Sequence, residues 1–208
     1  MSPYSLRREI WLDILERAII LALYGWLTGR AFLAFAETQG IMPLLVLLSE
    51  GTVVAFVLVR RLSANVSTRS LDWFAALVAT SAPLLVDLRG GVSVAPQAVC
   101  ILLLIAGMLF QIWAKLTLRR SFGLVPANRG IKAGGPYRLV RHPMYAGYLL
   151  THVAVLLFAP TLWNATIYAI ALPFQLLRIL NEERFLGDDE AYRQFAASVQ
   201  YRLVPKVF

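Results

Sequence analysis

Residues 97–114 read QAVCILLLIAGMLFQIWA, eighteen positions without a charge. An α-helix rises about 1.5 Å per residue, so this run nearly spans the roughly 30 Å hydrocarbon core of a bilayer. A soluble fold could bury one such helix, but the rest of the chain removes that option. Hydrophobic residues make up 59% of the 208 positions and the mean hydropathy is +0.65, whereas soluble domains are about 45–50% apolar. Lipid must therefore solvate much of the surface. Further apolar runs at 10–35, 41–60, 71–87, 143–160 and 162–180, with the quoted run extended to 95–115, predict an all-α polytopic membrane helical bundle of about six transmembrane helices. One membrane domain over 1–208 is expected, with four spans in 1–115 and the chemistry in 116–208.

The 20 Lys and Arg residues against 12 Asp and Glu do not predict nucleic-acid binding, because the basic residues sit mainly between apolar runs. Sixteen of them fall on one side of the expected bundle: Arg7, Arg8, Arg60, Arg61, Arg69, Lys115, Arg119, Arg120, Arg129, Lys132, Arg138, Arg141, Arg184, Arg193, Arg202 and Lys206. The other side has Arg89, with Arg30 snorkelling from the first helix. This asymmetry predicts that both termini and the 115–142 loop are cytoplasmic, in the plasma or bacterial inner membrane, with membrane lipids as neighbours. No cleavable leader is expected. Cys100 is read as packing, and one cysteine with two histidines predicts no metal site. Glu50 stands mid-span, where a carboxylate is a functional suspect or is paired within the bundle. Pro43, Pro83 and Pro173 are candidate kinks.

Two stretches stand apart. The first is GGPYRLVRHPMYAGY, 134–148. Pro143 suits the first turn of a helix, whose free N–H groups then form an anion-binding end beside His142, Tyr145 and Tyr148. Gly147 permits a ligand or another helix to approach, and Gly134-Gly135-Pro136 is a turn able to fold the loop over that mouth. The alternative is an interfacial anchor. The second is RILNEERFL, 178–186, in which Arg178 and Glu182 share a helix face and Glu183 turns away; its alternative is a solvated helix end. Only Ala159-Pro160-Thr161 separates the last two spans, predicting a tight hairpin. Asp188 or Asp189 is a cap for a final amphipathic helix that lies on the membrane or folds back over the site.

Together these stretches resemble the isoprenylcysteine carboxyl methyltransferase family and related membrane methyltransferases. The likeness runs through Gly135, Tyr137, Arg141, His142, Pro143, Tyr145 and Gly147. It resumes with Arg178, Glu182, Glu183, Leu186, Tyr192, Val199, Arg202 and Pro205, covering about the last 90 residues. The first four helices match only in being apolar, and Phe195 stands where an aromatic hydroxyl is frequent. The resemblance implies S-adenosyl-L-methionine as methyl donor, held by Tyr137, His142, Pro143, Tyr145, Gly147 and Glu182. Arg178 and Glu183 would stand near the transferred methyl and the acceptor. The acceptor expected is a lipophilic small molecule or lipidated substrate presenting a carboxylate or thiol. A phospholipid amine, a small thiol or a quinone-like lipid is the nearest alternative. An NADPH-dependent reductase of the sterol-reductase type and a non-enzymatic scaffold are further ones.

Overall fold

The computed structural model describes residues 3–39, 41–60, 66–87 and 91–208. The predicted topological charges Arg61 and Arg89 lie outside them, as do the side chains of Arg7, Arg8 and Arg120. Every described element is helical: α1 (Pro3–Thr38), α2 (Ile41–Val59), α3 (Ser70–Ser81), α4 (Gln97–Leu118), α5 (Pro143–Phe158), α6 (Leu162–Leu186) and α7 (Glu190–Ser198), with short 3-10 turns between some of them. Two helices, Ile10–Glu37 and Gln97–Leu118, are long and apolar enough to cross a membrane. Leu44–Val59, Ser70–Leu85 and Pro143–Phe158 are shorter apolar helices. Six crossings are thus not established by helix length, although the predicted segments match the helices closely.

Helix α4 shows why the sequence folds this way. Cys100, Gly107, Met108, Gln111, Ala114 and Lys115 recur at helical spacing and are buried. Leu102, Leu109, Trp113 and Leu116 point outward and are exposed. With Trp26, Phe32, Leu33, Leu48, Phe74 and Trp163 also exposed, the outer face is an apolar surface for which lipid is the matching solvent. This protein is a membrane protein.

The loop between α5 and α6 is as short as expected, and Thr161 caps α6 by accepting from the Asn164 N–H. The hairpin is nevertheless not tight. Helix α5 packs mainly on α4, and α6 mainly on α3, so α5 and α6 diverge and touch sparsely. The α4–α5 pairing rests on two glycines. A Cβ on Gly147 would sit 2.6 Å from Gln111 Cγ and 2.8 Å from the Gly107 carbonyl oxygen. One on Gly107 would sit 2.9 Å from the Gly147 carbonyl oxygen. Of the two readings of Gly147, the structure shows the close approach of a neighbouring helix.

Pro83 stands at the start of the 3-10 turn that ends α3, whereas Pro43 falls in the first turn of α2 and Pro173 inside α6. Helix α7 begins at Asp189, which accepts from the Ala191 N–H and from the Asn128 amide. It folds back, burying Tyr192 and Phe195 in the core beside Leu203.

Candidate active site

The start of α5, the end of α6 and the 119–142 loop converge. Gly135 has φ +55°, a left-handed conformation that glycine adopts without strain. Its missing side chain lets the 134–138 turn press on α4, where a Cβ would stand 2.8 Å from Thr117 Oγ1. That turn buries Tyr137. Burial, and then the nearby Glu182 charge, push its phenol well above the usual value, which keeps the hydroxyl a donor.

His142 caps α5, followed by Pro143 at the first helical position. The C-terminal segment fixes it from behind: the Arg141 N–H donates to the Tyr201 carbonyl at 2.8 Å and the His142 N–H to the Arg202 carbonyl at 2.9 Å. The His142 ring lies 5.6 Å from that of Tyr145, and the Tyr145 hydroxyl donates to Glu182 at 3.2 Å.

Glu183 accepts from Arg202 Nε at 2.8 Å, lies 3.1 Å from His142 Nε2 and 3.3 Å from Arg141. Burial alone would raise its carboxyl, but hydrogen bonds from His142 and Arg202 and the Arg141 charge outweigh that and hold it at about 2. Glu183, expected beside the acceptor, is therefore committed to three side chains and lines neither cavity described below.

Arg178 is 5% exposed. It makes no hydrogen bond to Glu182, with which it shares a helix face. Instead its guanidinium lies 5.1 Å from the Tyr145 ring centre and donates to Thr80 Oγ1 at 3.4 Å and the Gly123 carbonyl at 3.3 Å. Its Nε has no protein partner.

These side chains separate two cavities. A small one of about 70 Å3 is lined by polar groups, Tyr137, Arg141, His142, Tyr145 and Glu182, with Gly123 and Arg129 in its wall. A large one of about 600 Å3 opens between the diverging α5 and α6, lined mostly by apolar residues such as Leu27, Leu104 and Val155. Polar side chains in its wall include Arg178, Thr80, Tyr148 and Gln175, with Glu50, Arg30 and His152. Gln175, 5% exposed, has an unpartnered Oε1. Arg178 belongs to the wall of the large cavity, while Tyr145 and Gly123, which it touches, belong to that of the small one.

Of the expected cofactor residues, Tyr137, His142, Tyr145 and Glu182 come together around the small cavity. Pro143 is buried behind them, and Gly147 faces α4. Sequence reasoning missed Thr80, Gly123 and Gln175. Only Gln175, one helical turn before Arg178, carried a signal. It also misread three cations. Arg60 and Arg129 are buried against Asp13 and Glu16, and Lys115 is fully buried, 3.9 Å from Glu50. These charges serve packing inside the bundle.

The wall offers one carboxylate, two tyrosines and a histidine to a cation bearing hydrogen-bonding groups, while its two arginines are paired, Arg141 with Glu183 and Arg129 with Asp13 and Glu16. A volume of about 70 Å3 admits only the polar end of such a ligand, since drug-sized ligands occupy about 300 Å3 or more.

A search of curated proteins finds no match. Residues 96–194, from the start of α4 through most of α7, match the family model described as phospholipid methyltransferase. This range contains every residue of the small-cavity wall. Residues 96–194 therefore carry the signature of a membrane methyltransferase, the enzyme class that the two sequence stretches implied.

Proposed function

We propose that this protein transfers a methyl group from S-adenosyl-L-methionine to an anionic head group, a carboxylate or thiolate, on an amphiphile whose tail occupies the large cavity. The observation that carries this reading is Arg178, whose contacts lie on both cavities. A fixed, buried cation in the wall of a mainly apolar cavity orients an anion, while the carboxylate in the same wall, Glu50, lies 3.9 Å from Lys115. Glu182, Tyr137, His142 and Tyr145 would hold the polar end of the cofactor, and the small cavity must widen to take the rest. The cofactor supplies an electrophilic methyl on a sulfonium; transfer to a carboxylate or thiolate forms a C–O or C–S bond and leaves a neutral thioether. The residues then have three tasks: aligning the anion, excluding water and keeping the surroundings dry while charge is neutralised. Glu183 acts indirectly, by orienting His142. In this reading six helices cross the membrane, and both termini and the small cavity face the cytoplasm.

The test is thermal stability of the detergent-solubilised protein with S-adenosyl-L-methionine or NADPH, followed by transfer of labelled methyl to a prenylated cysteine, a long-chain thiol and phosphatidylethanolamine. Stabilisation by the methyl donor alone, with label on the first two acceptors, is expected. Stabilisation by NADPH alone overturns the reading. The family description favours a second reading, a phospholipid amine acceptor. Such an amine must lose a proton to a base. Label on phosphatidylethanolamine alone would establish that reading instead.

A further inference from the structure

Four ionisable side chains meet where α1 crosses the end of α2 and the 119–142 loop. Asp13 and Glu16 are fully buried, and the Arg60 and Arg129 side chains are 0% and 3% exposed. Asp13 Oδ1 lies 3.1 Å from Arg60 and 2.8 Å from Arg129, while Glu16 Oε2 lies 2.9 Å and 2.6 Å from the same two. Two carboxylates and two guanidiniums cancel. A buried neutral cluster of this kind adds little net stability over an apolar one but fixes a geometry, and removing one member leaves an uncompensated charge.

The two acids are not equivalent. Asp13 touches only the arginines, whereas Oε1 of Glu16 also accepts from the backbone N–H groups of Leu124 and Val125. These residues belong to the wall of the small cavity. The residue before them, Gly123, gives its carbonyl to Arg178 and lies so close under Arg129 that a Cβ would come 2.1 Å from Arg129 Nη1. A continuous set of hydrogen bonds therefore runs from Glu16 through Leu124 and Val125 to the Gly123 carbonyl and Arg178. The segment it crosses, 122–134, has no helix of its own, so its placement depends on such contacts. Glu16 lies outside the matched region 96–194.

We propose that Glu16 is a positioning residue for methyl transfer: it sets the 123–125 wall and, through the Gly123 carbonyl, the aim of the Arg178 guanidinium. The inference rests on the reading of Arg178 as the residue that orients the acceptor. An error of about 1 Å in such a group can cost on the order of a hundredfold in rate, while ligand affinity, spread over α5, α6 and the 134–138 turn, changes less.

The experiment compares Glu16→Ala with Asp13→Ala in the full-length, detergent-solubilised protein, since each removes one charge from the same cluster. Three quantities are read well below the melting temperature: amide hydrogen exchange over 121–129, affinity for S-adenosyl-L-methionine, and kcat per folded molecule with the most active acceptor of the panel above. Both variants are expected to melt earlier. Only Glu16→Ala is expected to speed exchange over 121–129 and to lower kcat by about tenfold or more, with affinity changed by less than about threefold. Equal kcat losses in the two variants, or unchanged kcat in Glu16→Ala, overturn the proposal and leave Glu16 a staple. Should Glu16→Ala fail to fold, Gly123→Ala displaces Arg129 from the same segment, and unchanged kcat there overturns the proposal equally. A wild-type protein that transfers no methyl sinks the parent reading instead, and unaltered exchange over 121–129 in Glu16→Ala then rejects the wall-setting role on its own.

Discussion

The two cavities are built by different rules. The small one is walled by the 134–138 turn, a loop, a helix start and a helix end, and Tyr145, His142, Arg141 and Arg129 in its wall are each bonded to another element. The large one is walled by helices that diverge and mostly by apolar side chains, and two of its buried polar atoms, Gln175 Oε1 and Arg178 Nε, have no protein partner. A site for one defined polar ligand needs fixed donors, whereas a site for a lipid tail needs volume with polarity at one end only. The fixed half is stitched by local motifs, and the roomy half is a by-product of helix packing.

Removing the group that touches both is the largest expected effect. Arg178→Ala should lower turnover by about a hundredfold to a thousandfold, while affinity for S-adenosyl-L-methionine, measured by calorimetry, largely survives. Normal turnover in this variant would remove Arg178 from the mechanism and dissolve the link between the cavities. His142→Ala acts on the small cavity alone. It should weaken S-adenosyl-L-methionine binding by about tenfold, the scale of one lost hydrogen bond involving a charged group, with little change in kcat at saturation. Unchanged affinity would detach the start of α5 from the cofactor.

The smallest effect concerns pH. The Glu183 carboxyl is held at about 2 against an ordinary 4.5. Its contribution to stability is therefore full above about 4.5 and is lost as pH falls from there toward 2. The carboxylate is partly exposed to water, which screens and reduces the gain. Melting temperature should fall less steeply between about pH 5 and pH 3 in Glu183→Gln than in the parent protein; parallel curves would show that the cations around Glu183 do not hold it.

Helix positions were legible because apolar runs and prolines act locally, as at Pro143 and at the Ala159–Thr161 turn. Tyr137, His142, Tyr145 and Glu182 were pointed to by the family resemblance that two short stretches carry. What escaped was tertiary. Nothing local distinguishes Arg60 or Arg129 from a loop charge at the membrane surface until Asp13 and Glu16 are seen buried beside them. Gly123 has no motif, because its importance is the space Arg129 requires and the carbonyl it offers to Arg178. The divergence of α5 from α6 depends on the partners each finds, α4 and α3, and no turn sequence encodes that choice.

The Gly107–Gly147 crossing acts as a mechanical stop. With backbone already against backbone, α4 and α5 cannot draw nearer, and a methyl at either position is a wedge that forces them apart. Of the walls around the large cavity, this one has a preset spacing. In the proposed reading, adaptation to thicker or thinner tails would fall to the walls without such a stop, α1, α2, α3 and α6.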